Sequence, residues 1–233
     1  MSRLRLLAVR HGQASFEAED YDQLSPLGQA QASALGNWLG NHDPQFDRVL
    51  CGRLRRHAQT LDGIANALAR VGRALPPTLI DPRLDEFDHR QLARAFVEQF
   101  PTHPSSLAAE HGRSRELPAL LRLLRDALLH WTRDQLPGAA ESWSEFRGRT
   151  RAVLNELRGA PTVGSVLLVS SAGVIAQLAA ETLELPDHRS IDLNMSLRNS
   201  ALCELLGDEH GFRLRSWNDL PHLADQRSMW THV

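Results

Sequence analysis

His11 is the residue of this sequence best suited to act as a nucleophile. It follows an apolar stretch at 4–9 and stands directly after Arg10. A neutral imidazole attacks phosphorus readily, and a neighbouring guanidinium favours the neutral form because it penalises the imidazolium. Arginine also forms bidentate hydrogen bonds with phosphate oxygens. The pair therefore indicates phosphoryl transfer, provided that further cations and an acid lie close by.

Phosphoryl transfer needs cations on the equatorial oxygens and an acid for the leaving oxygen. The segment 51–60 supplies three candidate cations, Arg53, Arg55 and Arg56. A second segment supplies Glu86 as a candidate acid, with Asp88 and His89 close enough in sequence to take the same role. Residue types alone leave both choices open.

Strands and helices alternate along the chain. Apolar stretches predict strands at 4–9, 49–51, 78–80, 166–169, 201–206 and 212–217. Helical spacing of apolar residues predicts helices at 26–39, 54–69, 141–157 and 174–183. This alternation predicts an α/β fold, a three-layer α/β/α arrangement with a mostly parallel sheet and one antiparallel edge strand.

The polar candidates follow the ends of predicted strands. In parallel sheets, sites lie beyond the carboxyl ends of the strands. The groups that follow the first four strands are Arg10 and His11, the segment 52–56, Glu86, and Ser170 and Ser171. We expect them to converge in one crevice.

One segment interrupts the alternation. Residues 90–138 contain four prolines and an amphipathic helix, whose apolar stripe comprises Leu117, Leu121, Leu124, Leu128 and Trp131. We predict a single domain over 1–233 with a helical insertion at 90–138. The insertion is expected to cover one end of the sheet.

Composition excludes several classes of function. The 233 residues carry a formal net charge of −2, so there is no electrostatic case for binding nucleic acid or an anionic membrane. All 26 basic residues are arginines, which excludes lysine Schiff bases, pyridoxal phosphate attachment and a Walker-type loop. The two cysteines form no disulfide framework, and a cytoplasmic protein is expected. The histidines show no metal-ligand spacing, and we expect neither a metal nor a cofactor.

Several segments resemble the histidine phosphatase (phosphoglycerate mutase-like) superfamily. The resemblance starts with Arg-His-Gly-Gln at 10–13 and Leu-Ser-Pro-Leu-Gly-x-x-Gln-Ala at 24–32. It continues with Cys-Gly-Arg-Leu-Arg-Arg-His-Ala-Gln-Thr at 51–60, Leu-Asp-Glu at 84–86 and Asn-Asp-x-x-His-Leu at 218–223. One motif alone is weak. These motifs follow one another in the order found in the superfamily, and this shared order makes the resemblance specific.

The resemblance implies a role for each candidate residue. His11 would form a phosphohistidine, and Arg56 rather than Arg53 or Arg55 would bind phosphate. Glu86 falls where this superfamily carries its acid/base glutamate. The substrate-binding residues implied are Arg10, Gly12, Gln13, Ser15, Arg56, Ser171 and Ala172.

The sequence departs from the superfamily pattern at two places. Ser171, followed by Ala172, stands where a second histidine is normally found. The asparagine that commonly follows the first motif is also absent; Glu17 lies near its register, and Ser15 is the nearest neutral donor. Losing one preorganised donor costs about 10²–10³ in rate. We therefore expect a slow phosphatase, in which restoring a histidine at 171 raises turnover.

Three functions fit the residues. The first is a phosphomonoester hydrolase acting on a small-molecule or protein phosphate ester, with inorganic phosphate as product or ligand. The alternatives are a phosphoglycerate mutase-type isomerase and a phosphate-binding pseudoenzyme, which Ser171 favours. The sequence leaves the substrate and the oligomeric state open.

Overall fold

A six-stranded sheet forms the centre of the molecule. The computed structural model describes residues 4–15, 22–42, 45–110, 117–159 and 164–232. The strands are β1 (Leu4–Arg10), β2 (Arg48–Cys51), β3 (Thr78–Ile80), β4 (Gly164–Ser170), β5 (Leu202–Asp208) and β6 (Gly211–Asp219). Their order in the sheet is β3-β2-β4-β1-β5-β6. The first four run parallel, and the predicted antiparallel feature is present at one edge, where β5 pairs antiparallel with both β1 and β6.

The register aligns the carboxyl ends of the four parallel strands. Arg10 pairs with Ser170, and Cys51 pairs with both Val169 and Ile80. The amide of His11 continues this pattern by donating to the carbonyl of Ser170 at 2.9 Å. The residues that follow these strands therefore begin at one edge of the sheet.

Helices cover both faces of the sheet. They are α1 (Pro26–His42), α2 (Arg55–Ala69), α3 (His89–Gln99), α4 (Pro104–Glu110), α5 (Leu117–Trp131), α6 (Trp143–Gly159), α7 (Ala172–Thr182) and α8 (Asp187–Ser196). Short 3₁₀ turns lie at Pro82–Leu84, Pro221–Leu223 and Arg227–Met229. In the described part of the chain, no helix combines the length and apolarity needed to cross a membrane.

Two apolar cores lie on opposite faces of the sheet, because successive strand side chains alternate in direction. Leu7 and Val9 of β1 pack with Leu35 and Ile64, which belong to α1 and α2. The alternate residues of β1 pack in the other core with side chains of α5, α6 and α7. This arrangement is the predicted three-layer α/β/α fold.

The segment predicted as an insertion contains α3, α4 and α5. Asp88 begins α3 as its N-cap, since its carboxylate accepts from the amides of Arg90 and Gln91, at 3.0 Å each. Helix α8 has no counterpart among the helices that the apolar spacing predicts. It buries only Ser190 and Ile191, so its sequence lacks the apolar periodicity that identifies a helix.

Candidate active site

The imidazole of His11 is buried at the end of β1 in a defined orientation. Its Nδ1 lies 2.7 Å from the carbonyl oxygen of Gly12, and the ring is 3% exposed. A carbonyl oxygen only accepts, so Nδ1 must carry the proton. Nε2 then holds a lone pair, and the Nε of Arg56 donates to it at 3.2 Å. The lone pair of Nε2 therefore points toward a guanidinium.

The surroundings of His11 keep the ring neutral. Burial lowers its pKa well below the ordinary 6.5, and the charges of Arg56 and Arg10 lower it further, with a smaller contribution from His57. At neutral pH the ring is therefore uncharged, with its single proton on Nδ1. A neutral, correctly oriented imidazole is the form that a nucleophile requires.

Arg56 links three parts of the site. Its Nη1 forms an ion pair of 2.8 Å with Asp22, and its Nη2 donates to the hydroxyl of Ser171 at 3.4 Å. The other two arginines of the segment lie elsewhere. Arg53 pairs with Asp85 and is 65% exposed, and Arg55 is exposed. Of the three candidate cations, the structure brings only Arg56 to His11.

Glu86 borders the same cavity from the segment after β3. Its carboxylate accepts from the amide of Gly173 at 2.9 Å, at the beginning of α7. A Cβ on Gly173 would lie 2.4 Å from this carboxylate, so glycine is needed for the approach. Burial raises the pKa of Glu86, opposed by the Gly173 hydrogen bond and by nearby arginines.

The two alternatives to Glu86 differ in position. Asp88 is exposed, and its carboxylate caps α3. His89 does border the cavity, but burial lowers its pKa to about 4. A group with that pKa is unprotonated at neutral pH and cannot supply a proton there. Of the three candidates, Asp88 is therefore engaged as a helix cap and His89 is neutral at that pH, whereas burial shifts the carboxyl of Glu86 toward its protonated form.

Ser171 contacts the imidazole of His57, whose position the sequence does not predict. The Nε2 of His57 lies 2.7 Å from the Ser171 hydroxyl, and the His57 ring centroid is 5.7 Å from that of His11. Gly52 makes room for the ring, because a Cβ there would lie 2.4 Å from Nδ1 of His57. Burial and the charge of Arg56 lower the pKa of His57 well below 6.5.

The remaining candidates take different places. Arg10, Gln13 and Ala172 line the cavity. The guanidinium of Arg10 donates to the backbone carbonyls of Leu197 and His232, the latter at 2.9 Å. It thereby joins the C-terminal segment to the site.

The turn after His11 is held by two residues of the motifs. The amide of Gly12 donates to the hydroxyl of Thr60 at 3.1 Å, and that of Gln13 donates to Gln31 at 2.8 Å. Ser15 pairs through its backbone with Gln23 and does not line the cavity. Glu17 lies outside the described residues.

The cavity above His11 has a volume of about 910 Å³. Polar groups gather where the strands end, with Arg10, His11, Arg56 and Glu86 on its wall. The leucines of α5 form much of the remaining wall. Among the described residues, no three His, Cys, Asp or Glu side chains are grouped as metal ligands would be.

Sequence reasoning missed several residues around the site. Asp22 positions Arg56, Gly173 admits Glu86, and Trp230 lines the cavity from the C-terminal segment. The Ala-Gly that opens α7 was a usable signal for Gly173. Asp22 and Trp230 lie in segments without a recognisable pattern.

Comparison with known proteins agrees with this arrangement. The profile of the histidine phosphatase superfamily (branch 1) matches residues 6–120 and 108–220. The chain therefore belongs to the histidine phosphatase superfamily. A search of the curated proteins gave no match.

Solved structures share the fold over nearly the whole chain. A mycobacterial glucosyl-3-phosphoglycerate phosphatase in complex with inorganic phosphate is 25% identical, with a TM-score of 0.63 over 94% of this chain and 99% of that one. A phosphoglycerate mutase from Bacillus anthracis is 17% identical, with a TM-score of 0.65 and 96% of each chain covered. A phosphoserine phosphatase mutant from Entamoeba histolytica, in complex with phosphoserine, is 14% identical, with a TM-score of 0.65 over 94% of this chain and 99% of that one. Phosphatases and a mutase thus share this architecture.

Proposed function

We propose that this protein is a phosphomonoester hydrolase that works through a phosphohistidine on Nε2 of His11. One observation carries the proposal: the unprotonated Nε2 of a buried, neutral His11 faces the guanidinium of Arg56 at the polar end of a large cavity. An anion placed there meets a nucleophile and a cation together. Positioning and charge stabilisation supply most of the catalysis in phosphoryl transfer.

The reaction takes two steps. Nε2 of His11 attacks phosphorus, the ester P–O bond breaks, and the carboxylic acid of Glu86 donates its proton to the leaving oxygen. The Glu86 carboxylate then takes a proton from water, the water oxygen attacks phosphorus, and the P–N bond breaks to release inorganic phosphate. Arg10 and Arg56 balance the charge on the non-bridging oxygens in both steps.

The same site is expected to turn over slowly. Ser171 stands where a second histidine would offer phosphate a charged donor, and the loss of such a donor typically costs about 10²–10³ in rate. Part of that loss is offset by His57, whose imidazole contacts Ser171. The mutase alternative is less compatible, because a cavity of about 910 Å³ is large for enclosing a small acid away from water.

Phosphate release from a chromogenic aryl phosphate, combined with trapping of labelled phosphate on the protein in alkali, tests the proposal. We expect release and a trapped, acid-labile phosphoprotein, both abolished by His11→Ala. His210→Ala is the matched control, because the His210 side chain is 86% exposed. Turnover that survives in His11→Ala rejects the nucleophile. Isomerisation without release indicates a mutase, and phosphate binding without release indicates a pseudoenzyme.

The role of Glu86 predicts a dependence on the leaving group. Glu86→Gln should lower kcat/KM about 10²–10⁴-fold for an alkyl phosphate and far less for a nitrophenyl phosphate, whose leaving oxygen needs no proton. Asp88→Asn is the control, since asparagine preserves the cap of α3.

The role of Glu86 as an acid also fixes the direction in which turnover changes with pH. Glu86 must be protonated for the first step, and its raised pKa keeps it protonated to higher pH. Alkyl phosphate turnover should therefore fall as pH rises through that pKa. An equal loss on both esters in Glu86→Gln would contradict the assignment.

A further inference from the structure

Helix α5 carries two apolar faces, one buried in the protein core and one that lines the cavity, where Leu124 also packs against the core. The core face comprises Ala119, Leu123, Ala127, Leu128 and Trp131. The second face comprises Leu117, Leu120, Leu121 and Leu124, all of which line the cavity that contains His11. Leu117 is 47% exposed. A helix that served only to pack would carry polar residues on this second face.

The other walls of the cavity carry further apolar side chains, which belong to Phe87, Ala93, Met195 and Trp230. Polar side chains of His89, Arg90 and Asn194 also lie on these walls. Phe87 is fixed by ring contacts with Trp131 and Phe146, at centroid distances of 5.0 and 5.4 Å. The indole N–H of Trp230 donates to the carbonyl of Leu223 at 2.9 Å, so its polar atom is already satisfied. The guanidinium carbons of Arg198 and Arg227 lie 4.9 and 5.4 Å from the ring centroid, and the indole also lines the cavity.

Thr231, a polar residue of the cavity wall, is already engaged in hydrogen bonds. Thr231 donates to Asn199 at 2.9 Å and accepts from Gln31 at 3.0 Å. A sugar or polyol placed against α5 would bury hydroxyl groups beside leucine side chains, and each unpaired hydroxyl costs free energy. An apolar group placed there leaves no hydrogen bond unpaired, and its removal from water is favourable.

From this division of the cavity we propose the substrate class: a phosphate monoester whose alcohol portion is an alkyl chain or an apolar ring that lies against the leucines of α5. The inference rests on the proposed function, since it assigns the phosphate to His11 and Arg56. It adds which esters are preferred. The phosphate occupies the cationic end, and the apolar portion extends between α5 and Trp230.

Chain length is the variable that tests this class. Each buried methylene contributes ~0.8 kcal/mol, which corresponds to about a fourfold change in an equilibrium or a rate ratio. We expect kcat/KM to rise about fourfold per methylene from ethyl to hexyl phosphate. Glycerol phosphate, which places hydroxyls along the same wall, should be a poorer substrate than propyl phosphate.

Binding of alkyl phosphonates tests the cavity independently of catalysis, because a P–C bond replaces the ester bond and no turnover occurs. By calorimetry, the Kd should fall about fourfold per methylene from ethyl- to hexylphosphonate. If the phosphonates show this trend while no ester is hydrolysed, the proposed function is wrong and the substrate-class inference stands. If esters are hydrolysed but neither kcat/KM nor Kd depends on chain length, the inference is wrong and the hydrolase stands.

A variant locates the apolar contact on α5. Leu117→Gln/Leu121→Gln should flatten the chain-length dependence of the Kd to less than twofold per methylene. Leu183→Gln is the matched control, since Leu183 is 45% exposed outside the cavity and should leave the dependence intact. Unfolding midpoints and circular dichroism verify that each variant is folded. An unchanged dependence in the double variant would overturn the placement on α5.

Discussion

Two buried histidine–serine pairs with similar Nε2–hydroxyl distances occur among the described residues. The Nε2 of His57 lies 2.7 Å from the hydroxyl of Ser171, and the Nε2 of His222 lies 2.9 Å from that of Ser200. Among the described residues, neither ring has a partner for its Nδ1. Both pairs also adjoin His11: the His57 ring lies near its imidazole, and the amide of Ser200 donates to its carbonyl at 3.1 Å.

The two pairs differ in the charges around them. Burial alone lowers the pKa of His222, to about 4. Burial and the charge of Arg56 together lower that of His57. The guanidinium that approaches His11 thus also approaches Ser171, whereas the pKa shift of His222 comes from burial alone. The two pairs are alike in their local contact and differ in the neighbouring charge.

Removing the charge of Arg56 should have the largest effect on catalysis. In Arg56→Ala, we expect kcat/KM to fall about 10³-fold or more, the scale on which a single arginine stabilises a phosphoryl transition state. Arg55→Ala, at an exposed neighbouring position, is the control and should change kcat/KM less than threefold. Steady-state kinetics on an aryl phosphate checks both. A similar loss in the two variants would show that Arg56 is not distinguished from its neighbour.

Replacing each histidine separates the two pairs directly. His57→Leu should lower kcat about 10–100-fold, because Ser171 loses the group that orients its hydroxyl beside Arg56. His222→Leu should change kcat less than threefold. Both variants should lose about 1–3 kcal/mol of unfolding free energy, since each removes a buried hydrogen bond between a histidine and a serine hydroxyl. Equal effects on kcat would mean that the pairs do not differ in function.

Residue 171 offers a test of whether His57 takes the place of the missing histidine. On the sequence alone, a histidine at 171 is expected to raise turnover; with His57 already 2.7 Å from Ser171, the structure leaves it no room. Ser171→His alone should therefore not raise kcat. Combined with His57→Ala, it should raise kcat about tenfold over His57→Ala, the scale of a modest hydrogen-bond contribution. Ser171→Ala serves as the control for loss of the hydroxyl.

The smallest effect concerns stability against pH. A histidine whose pKa is lower in the folded state than its unfolded value of 6.5 favours the folded state while the ring is neutral. Its contribution to the unfolding free energy is complete above pH 6.5 and is lost as pH falls toward the folded pKa. With a folded pKa of about 4, His222 should account for about 1 kcal/mol of the unfolding free energy lost between pH 7 and 5.5. His222→Leu should lose that much less in urea titrations over this range. An identical loss in both proteins would contradict the buried, neutral state of His222.

Local sequence was sufficient to predict the framework of the site. Apolar stretches and their turns placed the strands, and the alternation with helices implied the parallel sheet. Because parallel strands end at a common edge, the sequence also indicated that His11, Glu86 and Ser171 would approach one another. These inferences need only short-range periodicity and one rule of sheet geometry.

The partners within that framework were decided by the tertiary structure. His57 meets Ser171 across 114 positions of the chain, and the choice of Arg56 over Arg53 depends on which arginine a helix turn directs inward. Which apolar face of α5 packs and which lines the cavity is set by the helices around it. Such pairings depend on side-chain direction and on contacts distant in sequence, and neither is contained in local spacing.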